Sequence, residues 1–175
     1  LYPGDKVVLS NEECRRRVEA DAPFAVRLDM RRTLERVREP VTWQECTAEM
    51  LSNPAGPDWF EVRELQADPV AWGDVILARK DTPTSYHLSV VVDDARQGVT
   101  DVLRGQDLYY ATSVHRVLQI LLELPEPRYR HHRLILDDHG RKLAKSDRST
   151  SLRELRMAGH TLEDICESLG LPSDV

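Results

Sequence analysis

Residues 99–136 read VTDVLRGQDLYYATSVHRVLQILLELPEPRYRHHRLIL, and their order sets the fold class. Val99 to Leu103 has the β-branched and apolar residues of a strand, stopped by Arg104-Gly105. From about Thr112 to Leu124, Val114, Val117, Leu118, Leu121 and Leu122 recur at helical spacing until Pro125 ends the run. His132 to Leu136 returns to a short strand pattern. Strand, helix and strand in this order predict a βαβ unit on a parallel sheet, hence an α/β fold.

Upstream, Asp74–Arg79 reads as a strand followed by a turn at Asp81-Thr82-Pro83-Thr84. Tyr86 to Val92 is Val-rich, as in a buried strand or a tightly packed helix-to-strand passage, and ends in Asp93-Asp94. Adjacent residues of an extended chain point to opposite faces, which argues against a metal shared by Asp93 and Asp94 and favours structural roles. The same geometry argues against His131-His132 as a metal pair. Residues 11–20 read as a short helix with Asn11 as N-cap and Glu12 and Glu13 in its first turn. Phe24–Met30 alternates as a half-buried strand, whereas 31–58, with the turn cluster Asn53-Pro54-Ala55-Gly56-Pro57-Asp58, reads as loop-rich. Downstream, a turn at 137–140 and a basic loop at 141–148 precede two short helices, Ser149–Ala158 and Leu162–Leu169, separated by Gly159.

The 175 residues suit one to one and a half domains, and 41% apolar with 31% charged residues is a globular composition. No apolar run is long enough to span a bilayer, and Leu1 to Lys6 has no secretory pattern, so no membrane role and a cytoplasmic location are expected. Cys14, Cys46 and Cys166 are too far apart for a zinc knuckle or a redox motif. The net charge of −6 excludes a general, sequence-blind grip on nucleic acid and leaves RNA contact to local basic patches. Arg128, Arg130, Arg133, Arg141 and Arg148 could form one, with mixed surface charge as the default.

Three further pieces bear on chemistry. They are Ser85-Tyr86-His87-Leu88-Ser89-Val90-Val91-Val92-Asp93-Asp94 with Gly98-Val99-Thr100, then Val102 to Leu108, then Lys142-Leu143-Ala144-Lys145-Ser146. Taken alone, Lys142 and Lys145 read as a solvated basic turn, Tyr86 as a core aromatic, and Arg104 as a surface ion pair with Asp107 or Asp101. In this order, with Pro127, Tyr129 and His131 between the last two, the set resembles the second half of the catalytic domain of the glutamyl-tRNA synthetase family, class I. The third piece looks like that family's KMSKS loop. The resemblance implies a partial Rossmann-type nucleotide-binding fold with an α+β insertion and a short helical C-terminal tail. It divides the chain into a 1–72 insertion that contacts RNA, a catalytic half at 73–148, and a tail at 149–175 with no anticodon-binding domain.

The resemblance also implies activation of glutamate by attack of its carboxylate on the α-phosphate of ATP, with Mg2+ accompanying the nucleotide. Lys145, with Lys142 beside it, would offset the charge that develops on the phosphate. Tyr86 and Arg104 would line the glutamate pocket, the guanidinium holding a carboxylate by a two-pronged bond. His131 stands where the family has a histidine near ATP. Only about 30 residues follow Lys145, and Val90 stands where ordinary members commonly have asparagine. Both features look like the glutamyl-Q tRNA(Asp) synthetase subgroup, which implies transfer of glutamate to the queuosine base of tRNA(Asp) by a monomer; the alternatives are a fragment of an ordinary glutamyl-tRNA synthetase and a non-catalytic RNA-binding or accessory remnant of one. Tyr2-Pro3-Gly4 resembles the end of that subgroup's zinc site, but Lys6 replaces its cysteine and a lone phenol cannot hold zinc, so no protein-bound metal is expected. The family's HIGH-type half is not in this sequence, so part of the adenine and glutamate pockets is expected to be missing.

Overall fold

The computed structural model describes residues 10–21, 24–47, 61–79, 81–137, 139–143 and 151–170. Tyr2, Lys6, the 53–58 turn and Lys145 lie outside them. The described elements are α1 (Asn11–Glu19), β1 (Val26–Leu28), α2 (Met30–Leu34), β2 (Thr42–Thr47), β3 (Glu61–Gln66), α3 (Pro69–Trp72), β4 (Val75–Ala78) and α4 (Tyr86–Gln97). They continue with β5 (Asp101–Gly105), a single 3-10 turn (Gln106–Leu108), α5 (Ala111–Leu121), β6 (Arg128–His132), α6 (Leu152–Met157) and α7 (Leu162–Leu169).

The βαβ unit is present: β5 and β6 pair in parallel, with α5 as the crossover between them. Their sheet has four strands in the order β3-β2-β6-β5, with β2 parallel to β6 and antiparallel to β3. It therefore joins strands from either side of residue 72. A separate antiparallel pair, β1 with β4, completes the described strands.

Every residue of α5 from Ala111 to Gln119 is buried, so this helix carries the core. Its Val114, Val117 and Leu118 pack with Met30, Val41, Trp43, Ala67, Val75, Val91 and Tyr129. The polar residues caught in so buried a helix find partners. Arg116 Nε donates to the Thr42 carbonyl at 2.8 Å, Arg116 Nη1 donates to Gln119 Oε1 at 2.6 Å, and Gln119 Nε2 donates to the Tyr129 hydroxyl at 2.9 Å.

Four sequence expectations need correction. Residues 86–97 form a helix, not a strand: the Ser85 hydroxyl caps its first turn, and Gly98 ends it in the left-handed conformation at φ 67°. Leu88, Val91 and Ala95 share one helical face, and packing outweighs the low helix propensity of three consecutive valines. Asp93 and Asp94 consequently sit on a helix, with Asp93 exposed. The last strand of the unit is Arg128–His132, earlier than the apolar pattern indicated, because its inward residues are Tyr129 and His131. The stretch read as loop-rich contains α2 and β2. The N-cap of α1 is Ser10, one residue before the expected Asn11. No helix among the described residues is long and apolar enough to cross a membrane.

Candidate functional site

The site is organised by Arg104 near the end of β5. A guanidinium only donates, so each atom it meets is assigned as an acceptor. Arg104 Nε donates to His131 Nε2 at 3.0 Å, and Nη1 lies 3.0 Å from His115 Nδ1. Nη2 donates to the Leu108 carbonyl at 3.2 Å and to Thr112 Oγ1 at 2.7 Å. The guanidinium carbon stands 5.1 Å from the centre of the Tyr129 ring.

This donor-only group fixes three tautomers. His131 Nε2 accepts, so its ring proton sits on Nδ1, which lies 3.0 and 2.9 Å from the two Glu45 oxygens and donates to that carboxylate. Glu45 also accepts the His131 backbone N–H and the Trp43 indole N–H, each at 3.0 Å. His115 Nδ1 accepts, so its proton sits on Nε2 and is donated to His87 Nδ1 at 3.0 Å. His87 then keeps its proton on Nε2. A single hydrogen-bonded chain thus runs from Trp43 through Glu45, His131, Arg104 and His115 to His87.

The electrostatics follow from burial and from this charge. Burial first, then the Arg104 charge, pushes the His115 imidazole down to about 3, and the same two causes lower His87. Burial alone would raise the Glu45 carboxyl, but the hydrogen bonds it accepts from His131 and Trp43 outweigh it and hold it below the usual range. Burial raises Asp94, with Arg104 opposing it.

Tyr86 opens α4, is 52% exposed, and stands edge-on to His115 and His87 at 5.8 and 5.6 Å between ring centres. With His87, Ser85 and Trp72 it lines a cavity of about 200 Å³. Tyr86 and Arg104 therefore share one neighbour, the His115 ring. His131 has only 2% of its side chain exposed and both ring nitrogens engaged, so in this arrangement it braces Arg104 and has no nitrogen left for a nucleotide. Lys142 pairs with Asp107, and Arg128 pairs with Asp101 at 2.8 Å, so neither acid is the partner of Arg104. The described residues take four of the five guanidinium N–H groups. A two-pronged grip on a carboxylate needs Leu108 or Thr112 to give way; a one-pronged grip uses the N–H left on Nη1.

Glu45, His87, Thr112 and His115 were not singled out in the sequence. His115 carried a weak signal, a histidine inside the apolar helix that follows β5. Glu45 carried none. Among the described residues, no group of three His, Cys, Asp or Glu is gathered to hold a metal.

Comparison with known proteins gives the family. The family model described as tRNA synthetases class I (E and Q), catalytic domain, matches residues 2–171. The chain is 51% identical over 120 residues to the glutamyl-Q tRNA(Asp) synthetase of Rhodobacter capsulatus, covering 69% of this chain and 43% of that protein. It is 48% identical over 120 residues to the protein of the same name from a Synechococcus, covering 67% and 40%. The chain thus spans less than half the length of these curated relatives. Among solved structures, the glutamate-tRNA synthetase of Elizabethkingia anophelis shares the fold at TM-score 0.54 and 20% identity, over 89% of this chain and 26% of that one. On the match to residues 2–171, the chain belongs to the class I tRNA synthetase family (E and Q), within its catalytic domain.

Proposed function

We propose that the protein carrying this chain activates glutamate with ATP and transfers the glutamyl group to the queuosine base of tRNA(Asp). The observation that carries this reading is the likeness to the curated glutamyl-Q tRNA(Asp) synthetases, and the order of Tyr86, Arg104 and Lys145 along the chain agrees with it. In the first step a glutamate carboxylate oxygen attacks the α-phosphorus of ATP, and pyrophosphate leaves with the electron pair of the broken P–O bond. In the second, a nucleophile of the RNA attacks the acyl carbon and AMP leaves. Arg104 contributes a fixed positive charge toward a substrate carboxylate, and its orientation is held by His115, His131 and Thr112. Tyr86 contributes a hydroxyl at the neighbouring cavity. Lys142 and Lys145 contribute charge where the phosphate becomes more negative, Lys142 after exchanging its bond to Asp107. Mg2+ bound with ATP would supply further phosphate neutralisation. The protein acts in this reading as a cytoplasmic monomer.

Two measurements test it. Glutamate-dependent ATP–pyrophosphate exchange by the full protein is expected without any RNA. Labelled glutamate is then expected on tRNA(Asp) that contains queuosine and not on tRNA(Asp) that lacks it. Charging of tRNA(Glu) instead would assign the protein to the ordinary glutamyl-tRNA synthetases, and absence of exchange would remove the activation step. Lys145→Ala should slow exchange by about a hundredfold while changing glutamate affinity less than about threefold, because the charge it offsets develops mainly in the transition state. Equal exchange rates in variant and parent would take Lys145 out of the mechanism.

A further inference from the structure

A second concavity, of about 550 Å³, lies between the paired strands β2 and β3, α3 and the start of α5, and Tyr86, Arg104 and Lys142 are not among its lining residues. Its lining includes four aromatic side chains, Trp43, Trp72, Tyr109 and Tyr110, with polar groups from Gln66 and Ser113. Trp43 is buried, with its indole N–H tied to Glu45, and serves as a fixed floor. Tyr109 stands edge-on to Trp43 and to Tyr110, each at 5.5 Å between ring centres. Tyr110 is 74% exposed in this chain, its ring at the rim of the cleft.

The polar atoms retain capacity for a ligand. Gln66 Nε2 donates to the Val41 carbonyl, which leaves the amide oxygen able to accept. Ser113 Oγ accepts the Asp68 backbone N–H at 3.2 Å, which leaves its hydroxyl hydrogen to donate. The charged residue in the lining is Asp68, so the cleft is not built for phosphate. Aromatic faces with one donor and one acceptor beside them suit a flat, neutral, polar-edged ring, which among the partners of a tRNA synthetase is a nucleobase. Position supports this. Trp72 lines both this cleft and the Tyr86 cavity, and it stands edge-on to His87 at 5.7 Å.

We propose that the cleft seats an unstacked base of the RNA that accepts the aminoacyl group, with Tyr110 and Trp72 as stacking faces, next to the cavity of Tyr86 and His87. The proposal rests on RNA being the acceptor, and its test is separable from that of glutamate activation. Tyr110→Ala and Tyr110→Phe in the full protein would be compared for tRNA(Asp) affinity by tryptophan fluorescence at several salt concentrations, and for ATP–pyrophosphate exchange without RNA. Alanine should weaken tRNA binding about five- to a hundredfold, by a similar factor at every salt concentration, because a stacking face is lost and no phosphate contact. Phenylalanine should stay within about twofold of the parent, since it keeps the face. Exchange should be unchanged in both variants. Parental affinity in the alanine variant, or a loss accompanied by an altered salt slope, would overturn the proposal. A parent protein without exchange would sink the activation reading and leave the affinity comparison decisive for the cleft.

Discussion

Replacing Arg104 with alanine should raise the glutamate KM of the full protein about ten- to a hundredfold and lower its melting temperature in the same step. The KM effect comes from losing a charge-assisted hydrogen bond to a carboxylate, worth about 1.5–3 kcal/mol in a partly buried site. A carboxylate held alike before and during reaction is bound uniformly, so KM should move while kcat changes little. The stability effect has a separate origin. Arg104 is the donor to His131 Nε2, His115 Nδ1, the Leu108 carbonyl and Thr112 Oγ1, and alanine leaves all four without it. Water can reach a half-buried site, so the combined cost is about 2–4 kcal/mol and not the sum of four dry losses. Arg104→Lys should recover little. An ammonium keeps the charge but cannot direct donors at two imidazoles, a carbonyl and a hydroxyl in one plane. Steady-state exchange kinetics and a thermal melt on the same samples check both halves. A lowered melting temperature with an unchanged KM would make Arg104 a strut and remove it from the glutamate pocket.

The double role of Arg104 also shows where sequence reading stops. The βαβ unit was legible because α5 writes its apolar stripe openly and Pro125 ends it, and because Val99–Leu103 is locally strand-like. Arg104 and Tyr86 were singled out by the family resemblance, and the structure sets both beside the His115 ring. What was hidden is the set of side chains that hold Arg104, namely His115, His131 and Thr112, since each is polar at an inward position where the apolar pattern leads one to expect an apolar residue. Glu45 lies inward on β2 beside Trp43, and the histidine that satisfies it comes 86 residues later. Without that partner in view, a carboxylate between Trp43 and Cys46 breaks the alternation and makes a strand resemble a loop. β6 failed to register for the same reason, its inward positions being Tyr129 and His131. In α4 the local signals were present, Ser85 at one end and Gly98 at the other, but the three valines between them outweighed the caps.

The same polar interior makes stability depend on pH, and His115 is the group to test. Its imidazole titrates at about 3 in the fold, against about 6.5 in an unfolded chain, because burial and then Arg104 disfavour its charge. Between these values the unfolded chain binds the extra proton and the folded one does not. Stability therefore rises with pH across the window, is complete above about 6.5, and is lost as pH falls. One such histidine contributes about 1.4 kcal/mol per pH unit, or roughly 2–3 kcal/mol between pH 6.5 and 4.5. His87, lowered by the same causes, adds a slope of the same sign. The depressed carboxylates Glu13, Glu45, Asp101, Asp107, Asp137, Glu154 and Asp164 lose their stabilising charge only as pH falls below their ordinary values near 4, so stopping at pH 4.5 keeps them mostly out. Asp94, which burial raises, acts with the opposite sign and is common to both proteins compared. His115→Gln provides an amide oxygen to accept from Arg104 and an amide N–H to donate to His87, without titrating. Urea unfolding at half-unit steps from pH 7 to 4.5 should show the parent losing stability more steeply below about pH 6.5 and the glutamine variant losing roughly 2–3 kcal/mol less by pH 4.5. Equal slopes would mean that His115 accepts a proton in the folded chain, which a ring pressed against the Arg104 guanidinium should resist.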